Sequence, residues 1–346
     1  MLNGLPRILI VRLSAIGDVV RVLPALHCLR DALPDAQIDW VVEAKSADVL
    51  KGHPALDQVI VFNRNGSFAE SAKVFLKLCR QIRAGRYDIV IDFHGILKSG
   101  LLTCASGAKD RYGFARPRSQ EGSYFFTNHK TKLGDEVVNR IHENLQLCQA
   151  LVPGQKSLDV TIYIPEFITD EIEAYFEETF HGDKLVIAMH VPVDRPEKQW
   201  PPEYFAALSD LLLADGRFEV VLTWGPGQFE VIEEVLSSCR RHPHPAPEMA
   251  DLKHYIALVK RADLYFGGDT GPMHIASAVG TPVVAVFGGT HPEQHAPLRE
   301  PYTILTANPA RNGEAGGGQR RSVAEALRAV DPEQAYDACI GIVSAL

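Results

Sequence analysis

The sequence predicts an α/β protein made of two doubly wound domains, each a parallel sheet with helices on both faces. Three observations carry this. The chain has 346 residues, more than one core usually serves. Short apolar runs of strand length, such as residues 8–11 and 283–287, alternate with longer stretches of helical pattern. The alternation pauses at residues 152–165 and starts again near Lys184.

In order along the chain, residues 7–13 are a buried-strand run and 19–33 a helix. Residues 38–42 and 59–62 are strands, 68–84 an amphipathic helix, and 87–93 a strand again. This βαβα rhythm implies a parallel sheet covered on both faces. A polar, aromatic and basic stretch, 110–135, interrupts it before a helix at 136–151. Residues 152–165 hold prolines and a glycine and suit a crossover. The second series has strands at 185–189, 218–223, 264–267 and 282–287, and helices at 204–214, 229–239, 252–261 and 273–279. Residues 323–329 and 332–344 are helical in pattern, and the glycine-rich 308–319 is expected to be mobile. The expected domains are 1–165 and 166–322, with a C-terminal helical segment, 323–346, returning to pack on the first domain. Two such domains facing a central cleft bind ligands beyond the carboxyl ends of their strands.

Composition excludes several classes. The net charge of −8 argues against a general nucleic-acid binder. Hydrophobic residues make up 46%, enough for two cores, yet no run approaches the ~20 apolar residues of a spanning helix. No basic segment followed by a long apolar stretch opens the chain, so a cytoplasmic protein is expected, one able to touch the inner membrane surface. The six cysteines are scattered without a CxxC pair, as free thiols in a reducing compartment. His242, His244, His291 and His295 lack metal-ligand spacing with acidic partners, so neither metal nor cofactor is expected.

Five groups of residues can carry chemistry. Ser14-Ala15-Ile16-Gly17-Asp18 follows the first strand and has one glycine, so it is no GxGxxG dinucleotide fingerprint. Asp18, near a helix start, either accepts a proton from an attacking hydroxyl or complements the helix dipole. Gly267-Gly268-Asp269-Thr270-Gly271-Pro272-Met273-His274 is a strand end, glycine turn and helix start. Asp269 or Thr270 can cap that helix, Pro272 suits its first turn, and its amides suit a phosphate. His274 is either packed or a ligand. Within residues 190–201, which begin at His190, Lys198 can neutralise a diphosphate leaving group or simply be solvated, and Trp200 can pack beneath the loop. Trp224-Gly225-Pro226-Gly227 either contacts a nucleotide or turns the chain. Lys98, Lys109, Arg111, Arg116, Arg118, Lys130 and Lys132 form a basic group that suits an anionic acceptor or lipid surface, or is a solvated loop face.

Three strings carry a family resemblance through nearly the whole chain: ILIVRLSAIGDVVRVLPAL, YDIVIDFHGILKSG and FGGDTGPMHIASAVGTPVVAVFG. In this order they resemble glycosyltransferase family 9, the bacterial lipopolysaccharide heptosyltransferases, and the second resembles the type I branch. The resemblance implies a GT-B fold and an inverting, metal-independent transfer of heptose from ADP-L-glycero-β-D-manno-heptose to Kdo of the inner core. Asp18 then resembles the general base and Lys198 the lysine near the donor phosphates. Asp269, Thr270 and Gly271 match the donor turn, with Ser14, Gly17, His190, Trp224, Gly225, Pro272 and His274 beside it. Met249 resembles a methionine near the adenine and Glu230 a ribose contact. Lys98, Arg116 and Arg118 resemble the part that meets a Kdo-lipid A type acceptor. Two departures stand out: Val191, Pro192 and Val193 replace hydroxyl residues, and the glutamate after the Trp-Gly turn is shifted in register. Rival readings are a type II or III enzyme, another sugar-nucleotide transferase of the family, or a non-catalytic sugar-nucleotide binding protein.

Overall fold

The computed structural model describes residues 5–63, 68–180, 182–193, 195, 198–306 and 322–346, and the chain divides into two units, Met1–Tyr163 and Ile164–Leu346. The first unit runs β1 (Arg7–Val11), α1 (Ile16–Val20), α2 (Leu23–Ala32), β2 (Gln37–Glu43), α3 (Ala44–Leu50), β3 (Gln58–Phe62), α4 (Phe68–Ala84), β4 (Ile89–Asp92), α5 (Leu97–Ser106), β5 (Asp110–Phe114), β6 (His129–Thr131) and α6 (Arg140–Gln149). Its strands are parallel in the order β3-β2-β1-β4-β5-β6. The four residues of β1 after Arg7 are buried, as a strand covered on both faces requires.

Local chemistry explains where expectation and structure part. The single helix foreseen over 19–33 is two, because Pro24 lacks the N–H a continuous helix would need and its ring clashes one turn back. The stretch 110–135, expected to interrupt the sheet, instead supplies β5 and β6 and extends it. Gly113 lets β5 lie against Thr127, whose Cγ2 would stand 2.7 Å from an added Cβ.

The second unit runs α7 (Glu166–Thr179), β7 (Leu185–His190), α8 (Pro202–Asp215), β8 (Phe218–Thr223), α9 (Phe229–Ser238), β9 (His244–Pro245), α10 (Leu252–Arg261), β10 (Leu264–Gly268), α11 (Gly271–Val279), β11 (Val283–Val286), α12 (Pro292–His295), β12 (Tyr302–Leu305), α13 (Val323–Arg328) and α14 (Pro332–Val343). The parallel order is β12-β11-β10-β7-β8-β9, which is the first sheet's winding counted from β7. Trp200, Phe205, Phe218 and Phe266 fill the core between α8 and the sheet.

The C-terminal segment packs into the second unit. Leu327, Val330, Ala335, Cys339 and Ile342 are buried in the second unit's core, and α14 packs on α8 and on β10 to β12. Trp200 Nε1 donates to Val330 O at 3.0 Å, pinning the turn between α13 and α14. These apolar faces are consumed within the second unit. The glycine-rich 308–319 lies outside the described residues. Among the described residues no helix is long and apolar enough to cross a membrane.

Candidate functional site

In each sheet the winding reverses between two neighbouring strands, β1 and β4 in the first and β7 and β10 in the second. Loops leaving the carboxyl ends of such a pair diverge and leave room for a ligand. Most candidate residues lie on these loops or on the loop after β8, which adjoins β7; Arg116 and Arg118 follow β5 and Met249 follows β9.

In the first unit, Asp18 sits in the first turn of α1 between two buried arginines. It is ion-paired to Arg12 Nη2 and, at 2.5 Å, to Arg21 Nη2. The carboxylate keeps 32% exposure, so it is fixed in direction yet reachable. Arg12 is itself anchored: Nη1 donates to Phe93 O at 2.8 Å, and its carbonyl accepts from Trp40 Nε1 at 3.1 Å. Burial pushes the Arg12 guanidinium down to about 10, helped by Arg118 and Arg21 and opposed by Asp18, which leaves it charged at neutral pH. His94 Nδ1 accepts the Leu13 N–H at 3.2 Å, so a neutral ring carries its proton on Nε2. Burial, with the charges of Arg12, Lys98 and Arg118, holds that imidazole down to about 3. Asp92 organises the loop after β4, accepting from His94 N at 2.9 Å, Gly95 N at 3.0 Å and Ser99 Oγ at 2.8 Å.

The basic group is less uniform than its sequence suggests. Lys98 pairs with Glu43 at 2.8 Å, and Arg118 pairs with Glu143 at 2.9 Å, which Arg140 shares at 2.7 Å. Lys98 and Arg118 both act electrostatically on His94. Arg116 stacks over Tyr124 at 4.4 Å, and Arg111 is turned onto the carbonyls of Phe126 and Ala108. Lys109, Lys130 and Lys132 are exposed. Ser14 is half-buried in the loop before α1, and the Gly17 carbonyl accepts from Arg21 Nε at 3.3 Å.

In the second unit, Lys198 Nζ donates to Asp269 Oδ2 and Thr290 Oγ1, both at 2.8 Å. An ammonium has three N–H groups, and these two are its acceptors among the described residues. Burial raises the Asp269 carboxyl, but the Lys198 charge and hydrogen bond, Thr290 and His274 outweigh it and hold the group below the usual range. Gly267 and Gly268 are required by close approach: an added Cβ at Gly267 would lie 2.5 Å from Tyr265 Oη and 3.1 Å from His190 O. Neither Asp269 nor Thr270 caps α11 through its side chain, contrary to expectation; Thr270 Oγ1 turns instead to Gly268 O at 3.4 Å. The first-turn amides of α11, at Gly271 and onward past Pro272, therefore keep their pull on an anion. His274 is buried behind them.

His190 is buried too, with Nδ1 3.0 Å from Thr223 Oγ1 and its ring edge-on to Tyr255. Burial alone depresses its imidazole to about 3, so it is a neutral tie between the loops after β7 and β8. Beyond that tie lies a cavity of about 550 Å³, lined among others by Trp224, Gly225, Phe229, Pro245, Glu248 and Met249. Trp224 and Phe229 meet at 4.8 Å between ring centroids. Three sequence candidates, Trp224, Gly225 and Met249, thus converge on one pocket, whose aromatic wall, thioether and carboxylate suit a purine nucleoside. The exposed Glu230 is not among its lining residues; the carboxylate there is Glu248, adjacent to Met249 in sequence. Arg12, Arg21 and His94 also went unassigned from sequence, although all three lie inside the motif strings.

Residues 75–316 match the model of glycosyltransferase family 9 (heptosyltransferase). Lipopolysaccharide heptosyltransferase 1 of Escherichia coli K12 is 30% identical over 294 residues, covering 83% of this chain and 89% of that protein. Among solved structures, a family 9 glycosyl transferase from Veillonella parvula has a TM-score of 0.85 at 23% identity, covering 100% of this chain and 99% of its own. The E. coli heptosyltransferase WaaC with ADP has a TM-score of 0.72 at 22% identity, covering 98% of each chain. The fold is of the GT-B type, and the chain belongs to glycosyltransferase family 9, the heptosyltransferases of lipopolysaccharide core synthesis.

Proposed function

We propose that this chain transfers heptose from ADP-L-glycero-β-D-manno-heptose to a Kdo residue of the lipopolysaccharide inner core, with inversion and without a metal ion, at the inner face of the cytoplasmic membrane. The observation that carries the reading is in the second unit: a purine-sized pocket at Trp224 and Met249, and on neighbouring loops an ammonium and a set of uncapped helix amides. ADP needs those two features, a nucleoside pocket and fixed positive charge for its diphosphate. The ADP complex of the similar E. coli protein supports the donor class.

The reaction is a single displacement. The acceptor hydroxyl attacks the anomeric carbon while Asp18 takes its proton. The bond from that carbon to the phosphate oxygen breaks, and the electron pair leaves with ADP. Lys198 and the α11 amides meet the charge that builds on the diphosphate. Lys98 and Arg118 oppose the acceptor's carboxylate. The apolar Val191-Pro192-Val193, where the type I branch carries hydroxyls, favours a second reading: the same chemistry on an already heptosylated acceptor.

Incubation with ADP-heptose and either Kdo-lipid A or its heptosylated form, followed by mass measurement, separates these. One heptose added to Kdo-lipid A is the expected result. Addition only to the heptosylated acceptor selects the second reading. Donor binding with no product on either acceptor overturns both in favour of a binding protein.

A further inference from the structure

The geometry points to a second anion site, for a phosphate-bearing group, at the opposite edge of the first sheet. The segment after α4 and the segment after α5 enter β4 and β5 at their amino ends, whereas the loops carrying Asp18, His94 and Lys98 leave carboxyl ends. Between those two segments lies a cavity of about 650 Å³, lined by Arg80, Arg83, Arg86, Tyr87, Ser106 and Gly107 among others.

Its polar chemistry is one-sided. The Tyr87 hydroxyl is turned inward onto Asp39 at 2.6 Å. Ser106 Oγ is engaged with Thr103 O and Ala108 N. Arg80, Arg83 and Arg86, all exposed, line the cavity, and no carboxylate lines it among the described residues. The Arg83 guanidinium is held there by Nη1 donating to Ser106 O at 3.4 Å. The backbone is shaped to hold them. Gly107, at φ +65°, leaves the room that Arg83 crosses, since an added Cβ would fall on the Arg83 guanidinium. Arg86 takes φ +50°, a left-handed conformation in which a long side chain is uncommon. Planar guanidinium forks match the three oxygens of a phosphate monoester. The volume exceeds a bare phosphate and leaves room for an organic ester. A phospholipid headgroup and a free phosphomonoester share this chemistry.

The test uses the full chain with ADP at saturation, so that the donor pocket is filled. Inorganic phosphate and glycerol 3-phosphate are titrated by calorimetry, and phosphatidylcholine vesicles with and without phosphatidylglycerol are co-sedimented. Wild type is compared with R80Q/R83Q/R86Q and with a charge-matched control, R240Q/R241Q/K260Q, at exposed positions of the second unit. Loss of about tenfold or more in the first variant, with the control unchanged, is expected. Loss towards the soluble phosphates assigns a free ligand; loss only towards phosphatidylglycerol vesicles assigns a headgroup. The proposal falls if wild type binds none of the probes, or if R80Q/R83Q/R86Q binds them as wild type does. An unchanged circular dichroism spectrum and urea midpoint in that variant show that it is folded; should it fail to fold, R86Q alone is read the same way.

Discussion

Asp18 is held by two buried guanidiniums, and that grip fixes what its substitution will do. Asp18→Asn keeps the shape and one oxygen to accept from Arg12 or Arg21, but its amide nitrogen faces the other guanidinium and it cannot take up the acceptor's proton. Turnover should fall by about 10²- to 10⁴-fold, with ADP affinity within about threefold of wild type. Unchanged turnover, measured by product mass, removes Asp18 from the base role. Lys198→Ala strikes the other end of the reaction. It removes the cation proposed to meet the diphosphate and strands Asp269, only 8% exposed at its side chain. ADP affinity by calorimetry should drop about tenfold to a hundredfold. Asp269→Asn in the Lys198→Ala background should recover stability, because the stranded charge is gone. The nucleoside pocket makes a sharper comparison between two glutamates. Glu248→Ala should weaken ADP binding about fivefold or more, the size of one hydrogen bond to a ribose hydroxyl, while Glu230→Ala leaves it unchanged. The reverse outcome would restore the register suggested by the Trp-Gly turn.

At the scale of elements, the glycine pair ending β10 shows how local sequence sets the site. Tyr265 Oη and the His190 carbonyl press against Gly267, so Gly267→Ala must push β7 and β10 apart or shift the ring. The expected cost is about 1–3 kcal/mol, read as a lower midpoint in urea unfolding, with ADP binding weakened because the His190 loop moves too. The elements legible in sequence were those with one clear period. Residues 68–84, 218–223 and 252–261 match α4, β8 and α10 end to end. The missed elements lack such a signal. β5 reads DRYGF and β6 reads HKT, outer strands too polar to look like strands until their neighbours are in place. α5 carries Gly100 because Phe126 lies 2.6 Å from where its Cβ would stand, a tertiary demand that weakens the local helix pattern. The site follows the same rule. Motif strings at strand ends could be located, since glycine turns there punctuate the apolar pattern. Their partners were not: Glu43 lies 55 residues from Lys98, and Glu143 lies 25 from Arg118. Only the fold brings those pairs together.

Across the whole molecule, buried imidazoles set how stability responds to acid. His94 in the first unit and His190 in the second are each held down to about 3 by burial, His94 with help from nearby cations. Above pH 6.5, folded and unfolded chains are both neutral at these positions. Below it the unfolded chain binds protons that the folded chain refuses, so stability is lost progressively as pH falls from 6.5 towards 3. By pH 5 the loss reaches about 2 kcal/mol per histidine. His254 works in the opposite sense. Its desolvation is outweighed by hydrogen bonds and charge from Asp251 and Glu171, which raise it; its contribution is complete below 6.5 and is lost as pH rises through the folded value. Its partners Glu171 and Asp251 are exposed, so solvent screens the interaction and its effect is small. His94 and His190 should therefore carry most of the fall between pH 7 and pH 5, with His27, which burial also lowers, acting in the same sense. Asparagine places an oxygen where Nδ1 sits, preserving the contact with the Leu13 amide in His94→Asn and with Thr223 in His190→Asn. Each variant should be less stable at pH 7 through poorer packing, yet its urea midpoint should fall less between pH 7 and pH 5 than wild type's. The double variant should be flattest. A double variant as acid-sensitive as wild type would show that these rings are protonated in the folded chain, and that the loops after β4 and β7 are open to water.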